Sequence, residues 1–173
     1  ATWIQGLYIY SPNLLRDLTT TALWIKGGDV TVKDNILRGF TTGGAWSGLT
    51  ITDGSDAFIR NNTIYADGSP LVGELTEAIG GAGIIMYESQ PTIESNRIRG
   101  GGAVGQGIVV FNSHPDIFNN MILGCEDGSG QQVCYGVKYL AENSSYFDIK
   151  TSGGKLYNNT ILGGVPSPSN QQS

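Results

Sequence analysis

Short runs of alternating apolar and polar residues fill most of the 173-residue chain, and two kinds recur in a fixed order. The first is a five-residue run: ALWIK (22–26), GLTIT (48–52), GIIMY (83–87), GIVVF (107–111) and GVKYL (136–140). Its period of two is that of a strand with one buried face. Leu23/Ile25, Leu49/Ile51, Ile84/Met86, Ile108/Val110 and Val137/Tyr139 are then expected to point inward. An eight-residue motif follows each run: VKDNILRG (32–39), IRNNTIYA (59–66), IESNRIRG (93–100), IFNNMILG (117–124) and LYNNTILG (156–163). Its frame is aliphatic, any, Asp/Asn/Ser, Asn, any, Ile/Leu, any, Gly/Ala. Two short strands joined by a bend fit this frame. The first position (Val32, Ile59, Ile93, Ile117, Leu156) and the sixth (Leu37, Ile64, Ile98, Ile122, Ile161) face the core.

Asn35, Asn62, Asn96, Asn120 and Asn159 hold the fourth place in every copy, 27, 34, 24 and 39 residues apart. The shortest step suits one coil of three short strands and three bends, and the longer ones are that coil with loops inserted. No coil can bury its own apolar face, so equivalent residues must stack on the next coil about 4.8 Å away. The predicted fold is all-β: a right-handed parallel β-helix of about five to six coils. One domain is expected over 1–173, with coils at about 6–163 and a polar tail at 164–173. GLYIY (6–10) is expected to start the stack as a partial coil of the first kind, with Tyr8 and Tyr10 outward. The recurring Asn is expected in a bend that visits the left-handed region. Its amide would bond to the next coil in a ladder that satisfies buried polar groups.

The pattern Ser-x-Pro-x-Ile-x-x-Asn-x-Ile occurs as SQPTIESNRI (89–98) and SHPDIFNNMI (113–122). It resembles the parallel-β-helix repeat of the pectin-lyase-like superfamily, and within it the NosD-like and DUF1565-type repeats of secreted bacterial proteins. The resemblance covers residues 22–163. It implies the fold and a secreted, extracellular or cell-surface bacterial setting. An activity does not follow, because this superfamily hosts lyases, hydrolases, epimerases, adhesins and phage spikes.

Composition narrows the classes further. Gly supplies 26 positions and charged residues only 14%, which disfavours a helical bundle; 39% hydrophobic residues in strand-like runs disfavour disorder. The net charge of −5 and the scattered Lys and Arg give no footprint for nucleic acid. No apolar run nears the roughly 18 residues that read as a membrane span. The chain has no initiator Met or signal peptide, as expected of a mature secreted chain or a segment of a longer protein. Cys125 and Cys134 flank a Gly-rich polar stretch. Either they form a disulfide closing an exposed loop in an oxidising compartment, which is the expectation, or they are two free thiols. Sequons occur at Asn61, Asn143 and Asn158, two of them by-products of the repeat.

Candidate chemistry lies beside the ladder. Insertions collect at one corner, after the motif's last residue: 41–47, 67–82, 101–106 and the loop from Glu126. A fifth, 142–154, occupies another corner. The outward positions of the first strands, Tyr8, Tyr10, Trp24, Lys26, Tyr87, Phe111 and Lys138 among them, are expected to form a ligand or partner face. In carbohydrate-active members of the resembled superfamily this sheet carries the sugar cleft. Equally, such a stripe can be covered by loops, a neighbouring subunit or a flanking domain. Asp53, Glu88 and Asn112 end three successive strands of this kind, with His114 and Asp116 on one bend. Asp53 and Glu88 could share a proton, serve as a glycosidase pair with His114 nearby, or hold Ca2+; otherwise the three residues cap turns. No other cofactor or metal is implied. The signature motifs of the polygalacturonase and pectate-lyase branches are absent. Arg60/Glu94 and Arg38/Tyr65/Arg99 are expected as outward columns.

The expected function is a non-catalytic extracellular module, structural, adhesive or glycan-binding. Its partners would be a polysaccharide or another protein subunit, with a homo-oligomer or head-to-tail fibre as one form of assembly. The alternative is a polysaccharide lyase, hydrolase or epimerase acting through Asp53, Glu88 and His114.

Overall fold

A computed structural model describes residues 2–13, 20–41, 46–67, 81–102, 105–125, 134–140 and 152–163. The stretch 14–19, most of the insertions, Asn143 and the tail 164–173 lie outside these residues. Seventeen strands form the described chain. The first are β1 (Thr2–Gln5), β2 (Tyr8–Asn13), β3 (Thr20–Lys26), β4 (Val30–Lys33), β5 (Ile36–Thr41) and β6 (Trp46–Thr52). Then come β7 (Phe58–Arg60), β8 (Thr63–Asp67), β9 (Gly81–Tyr87), β10 (Thr92–Glu94), β11 (Arg97–Arg99) and β12 (Gln106–Phe111). The last are β13 (Asp116–Phe118), β14 (Met121–Leu123), β15 (Tyr135–Leu140), β16 (Lys155–Tyr157) and β17 (Thr160–Leu162).

Every third strand joins the same sheet. Sheet A is β1-β4-β7-β10-β13-β16, sheet B is β2-β5-β8-β11-β14-β17, and sheet C is β3-β6-β9-β12-β15. All pairs within the sheets are parallel, as a continuously wound solenoid requires. The five-residue runs form sheet C, and each eight-residue motif supplies one strand to sheet A and one to sheet B. Four of the expected insertions connect sheet B to sheet C, and the fifth connects sheet C to sheet A.

The core is the expected set of columns. Leu49, Ile51, Ile84, Met86, Ile108 and Val110 are buried from sheet C, with Val32, Ile59, Ile93 and Ile117 from sheet A and Leu37, Ile64, Ile98 and Ile122 from sheet B. In the last described coil the expected inward residues Tyr139, Leu156 and Ile161 are exposed, because no described coil stacks beyond them.

Two expectations need correction. GLYIY does not belong with the first kind of strand. β2 pairs with β5 in sheet B, Tyr8 opposite Ile36 and Tyr10 opposite Arg38. Residues 4–11 are a sixth copy of the motif, with β1 opposite β4 in sheet A and Leu7 in the place of the asparagine. Among the described residues the first strand of the stack is β1, from Thr2. The second correction concerns the bend. The ladder asparagines do not take the left-handed conformation; the residue before each does, namely Asp34, Asn61, Ser95, Asn119 and Asn158, at φ 57, 53, 57, 58 and 52°. That residue absorbs the turn, which leaves the next side chain aimed into the stack.

The side chains of Asn35, Asn62, Asn96 and Asn120 each bridge three coils, and that of Asn159 bridges the last two described. Asn62 Oδ1 accepts from the backbone N–H of Asn35 at 2.9 Å, and Asn62 Nδ2 donates to Val32 O at 2.9 Å and to Asn96 Oδ1 at 3.1 Å. Asn96 and Asn120 repeat the pattern, and Asn159 accepts from Asn120 N–H at 2.9 Å. A second ladder, not anticipated, lines the corner between sheets C and A. Ser89 N–H donates to Ser113 Oγ at 3.1 Å, and Ser89 Oγ donates to Ile51 O at 3.2 Å, while Ser152 Oγ reaches Val110 O at 3.3 Å. Its signal was a serine two residues before Ala57, Pro91, Pro115 or Gly154.

Candidate functional site

The corner that follows sheet C gathers the expected catalytic residues. Asp53, Glu88 and Asn112 do occupy equivalent places, directly after β6, β9 and β12, and all three are left-handed at φ 61, 48 and 43°. Gly27 holds the same place after β3, at φ 66°. Position here is set by the bend: short polar residues and glycine tolerate this conformation, while glutamate does so at a cost. Glu88 is tied in through its backbone, donating N–H to Phe111 O at 3.2 Å and accepting from Gly54 N–H at 2.7 Å. The Asp53 carboxylate pairs with Lys26 at 3.6 Å, an exposed contact of small energetic weight. His114 lies past the buried Ser113, on the sheet A side of the corner, and its backbone N–H bonds to Ser89 O at 3.0 Å. Asp116 pairs with Lys155 at 3.5 Å. Among the described residues no three His, Cys, Asp or Glu side chains gather as a metal site.

The outward face of sheet C keeps only part of its expected membership. One column runs Trp24, Thr50, Ile85, Val109, Lys138, and its neighbour runs Lys26, Thr52, Tyr87, Phe111, Leu140. Trp24 is 59% exposed, and its indole N–H donates to Thr52 Oγ1 at 3.0 Å, which pins the ring. Tyr87 and Phe111 are half-buried, their ring centroids 6.4 Å apart and tilted by 52°. Val109 is fully buried although it points outward, so the middle of the face is covered. Lys138 sits over the Tyr135 ring at 5.0 Å. Tyr8 and Tyr10 are not part of this surface.

On sheet B, Tyr8 instead heads the row of Ile36, Thr63, Arg97 and Met121, and Tyr10 opens a column that runs Tyr10, Arg38, Tyr65, Arg99, Leu123. Aromatic rings and guanidinium groups alternate along it. Arg38 lies 5.4 Å from the Tyr10 centroid and 5.6 Å from that of Tyr65, and Arg99 lies 5.3 Å from Tyr65 on the other side. Such contacts contribute roughly 0.5–1 kcal/mol each at exposed sites. Asp67 clamps both arginines, at 2.8 Å to Arg38 and 2.6 Å to Arg99. A hydrogen bond with Tyr8 raises the pKa of Arg38, with the Asp67 charge adding to it against burial. Burial, then the neighbouring Tyr8, raises the Tyr65 phenol above its ordinary 10.0, so the ring between the two cations stays neutral at physiological pH. The triad Arg38/Tyr65/Arg99 was legible as a column; Asp67 was missed because it falls after the motif's last residue. The Arg60/Glu94 pair forms as expected, at 3.7 Å.

At the edge of the last described coils, Cys125 and Cys134 are joined by a disulfide, the expected one of the two alternatives. No helix among the described residues is long and apolar enough to cross a membrane.

A family model described as a right-handed β-helix region matches residues 6–161. No curated protein and no solved structure matches the chain.

Proposed function

Because the chain belongs to the right-handed β-helix family, whose fold does not fix an activity, we propose its function from its surface: a non-catalytic extracellular module that binds glycan. The observation that carries this reading is the Trp24 ring, exposed yet held by Thr52, with the Tyr87–Phe111 pair on the same sheet face. Flat aromatic rings suit the apolar faces of sugars, and a ring already fixed by a hydrogen bond loses little freedom on binding. A disulfide accords with an oxidising, extracellular setting.

Several features weigh against turnover. Asp53, Glu88 and Asn112 occupy a place that the bend itself demands, since Gly27 fills it in the first sheet C strand. The Asp53 carboxylate faces Lys26, and His114 lies around the corner beyond Ser113. A polysaccharide panel assayed for both retention and product release tests the proposal. Retention without new reducing ends or unsaturated products is expected, with Trp24→Ala lowering affinity about tenfold, the scale of one lost aromatic contact. Product release that disappears in Glu88→Ala would instead establish the lyase, hydrolase or epimerase alternative.

A further inference from the structure

Sheet B carries chemistry that the sheet C face does not use. Strands β8, β11 and β14 run side by side, and their register sets Thr63, Arg97 and Met121 in one row and Tyr65, Arg99 and Leu123 in the next. These six residues, with Arg38 and Asp67, line a cavity of about 340 Å3. Across it the character changes in order. Hydroxyl groups stand on β8, guanidinium groups on β11 and apolar side chains on β14.

Three arginines face one aspartate here, although the whole chain is acidic at −5. Their states differ. Asp67 holds Arg38 and Arg99 against the Tyr65 ring, so these two are fixed in place and share one carboxylate, which offsets half of their combined charge. Arg97 is exposed; its backbone N–H donates to Asn62 O at 2.9 Å, but among the described residues no ion pair or hydrogen bond holds its guanidinium. A guanidinium presents a planar fork that matches the two oxygens of a carboxylate or sulfate. The Asp67 carboxylate repels a second negative charge nearby, which favours a singly charged ligand.

We propose that this cavity is an anion subsite, separate from the sheet C face, for a sugar-sized ligand bearing one carboxylate or sulfate. The anionic group lies on Arg97. The ligand's apolar side rests on Met121 and Leu123, and its hydroxyl groups face Thr63 and Tyr65. Asp67 and the Tyr65 stack are positioning residues: they keep Arg99 from collapsing onto the ligand's place.

The test is an NMR titration of the full chain at low salt with three probes: glucuronate, glucose 6-sulfate and glucose. Backbone amides of Thr63, Arg97 and Met121 should shift with glucuronate, glucose 6-sulfate or both, and not with glucose. Response to one anion alone identifies the group recognised. Arg97→Ala should weaken binding about tenfold with an unchanged far-UV spectrum, and raising salt to about 0.5 M should weaken it as well, since the site is solvent-exposed. Trp24→Ala should leave this titration unaltered, so the sheet B subsite and the sheet C reading stand or fall separately. Equal response to glucose, no response to either anion, or unchanged affinity in Arg97→Ala would overturn the proposal.

Discussion

Asn62 has five hydrogen-bond partners within reach of one small amide: its oxygen accepts from the backbone and side-chain N–H of Asn35, and its two N–H groups are shared among Val32 O, Arg60 O and Asn96 Oδ1. All of these groups lie inside the stack, where water cannot replace a lost partner. Asn62→Ala therefore strands several buried polar groups and should cost about 3–5 kcal/mol, read as a drop in the urea midpoint at constant slope. Asn159, half-buried at the edge of the last coil, loses less; Asn159→Ala should cost about 1 kcal/mol. Equal losses at both positions would contradict the cooperative ladder. The ladder was readable from sequence because the same residue recurs in a fixed aliphatic frame. The sixth motif copy was not, because Leu7 sits where the marker should be; its remaining traces were Ile4, Gly6 at the bend with φ 70°, and Ile9. The serine ladder escaped for a related reason: its residues precede Ala, Pro or Gly in turn, so no constant frame surrounds them.

At the scale of strands, glycine decides how closely sheets B and C meet. Gly48, Gly83, Gly107 and Gly136 are the second or third residues of their sheet C strands, and each faces the sixth-position isoleucine of a motif. A Cβ on Gly83 would stand 2.5 Å from Ile98 Cγ2 and 2.7 Å from the Gly107 carbonyl oxygen. Neither neighbour can yield without shifting a buried column. Gly83→Ala should thus destabilise by about 2–3 kcal/mol in thermal or urea unfolding, an overpacking cost in the middle of the stack. A neutral effect would mean that the coils are spaced more loosely than the register implies. The first sheet C strand carries Ala22 in this region, packed partly buried against the core near the edge of the stack. Alternation alone assigned the inward residues of these strands correctly. It could not reveal that Val109 is buried on the outward side, since period two separates faces without saying what covers them.

For the whole molecule, two polar ladders and three stacked apolar walls hold the corners rigid, and recognition is left to the outer faces. Sheet C offers Trp24 with Tyr87 and Phe111, and sheet B offers the arginine row beside Tyr65. A solenoid suits this division of labour, because each outward column repeats at the coil spacing and can follow an extended polymer. Asp53 and Glu88, two of the three catalytic candidates, share a column with Asn112 because the bend needs left-handed residues there, which is a structural cause for their recurrence; His114 lies outside it. The site was less legible than the fold for a physical reason. Inward positions are dictated by burial and leave a strong periodic signal, whereas outward positions answer to a ligand that the sequence does not name.

Binding without turnover on the Trp24 face is tested most directly by one NMR experiment on the full chain, following the three indole N–H signals while a polysaccharide retained by the protein is added. Trp3 and Trp24 are exposed and Trp46 is buried, so the three report on separate places. The Trp24 signal should shift in a saturable way, Trp3 and Trp46 should stay fixed, and the ligand's own spectrum should remain unchanged over prolonged incubation. A bound ligand that leaves Trp24 unmoved, or the appearance of cleaved, unsaturated or epimerised products, would contradict the proposal.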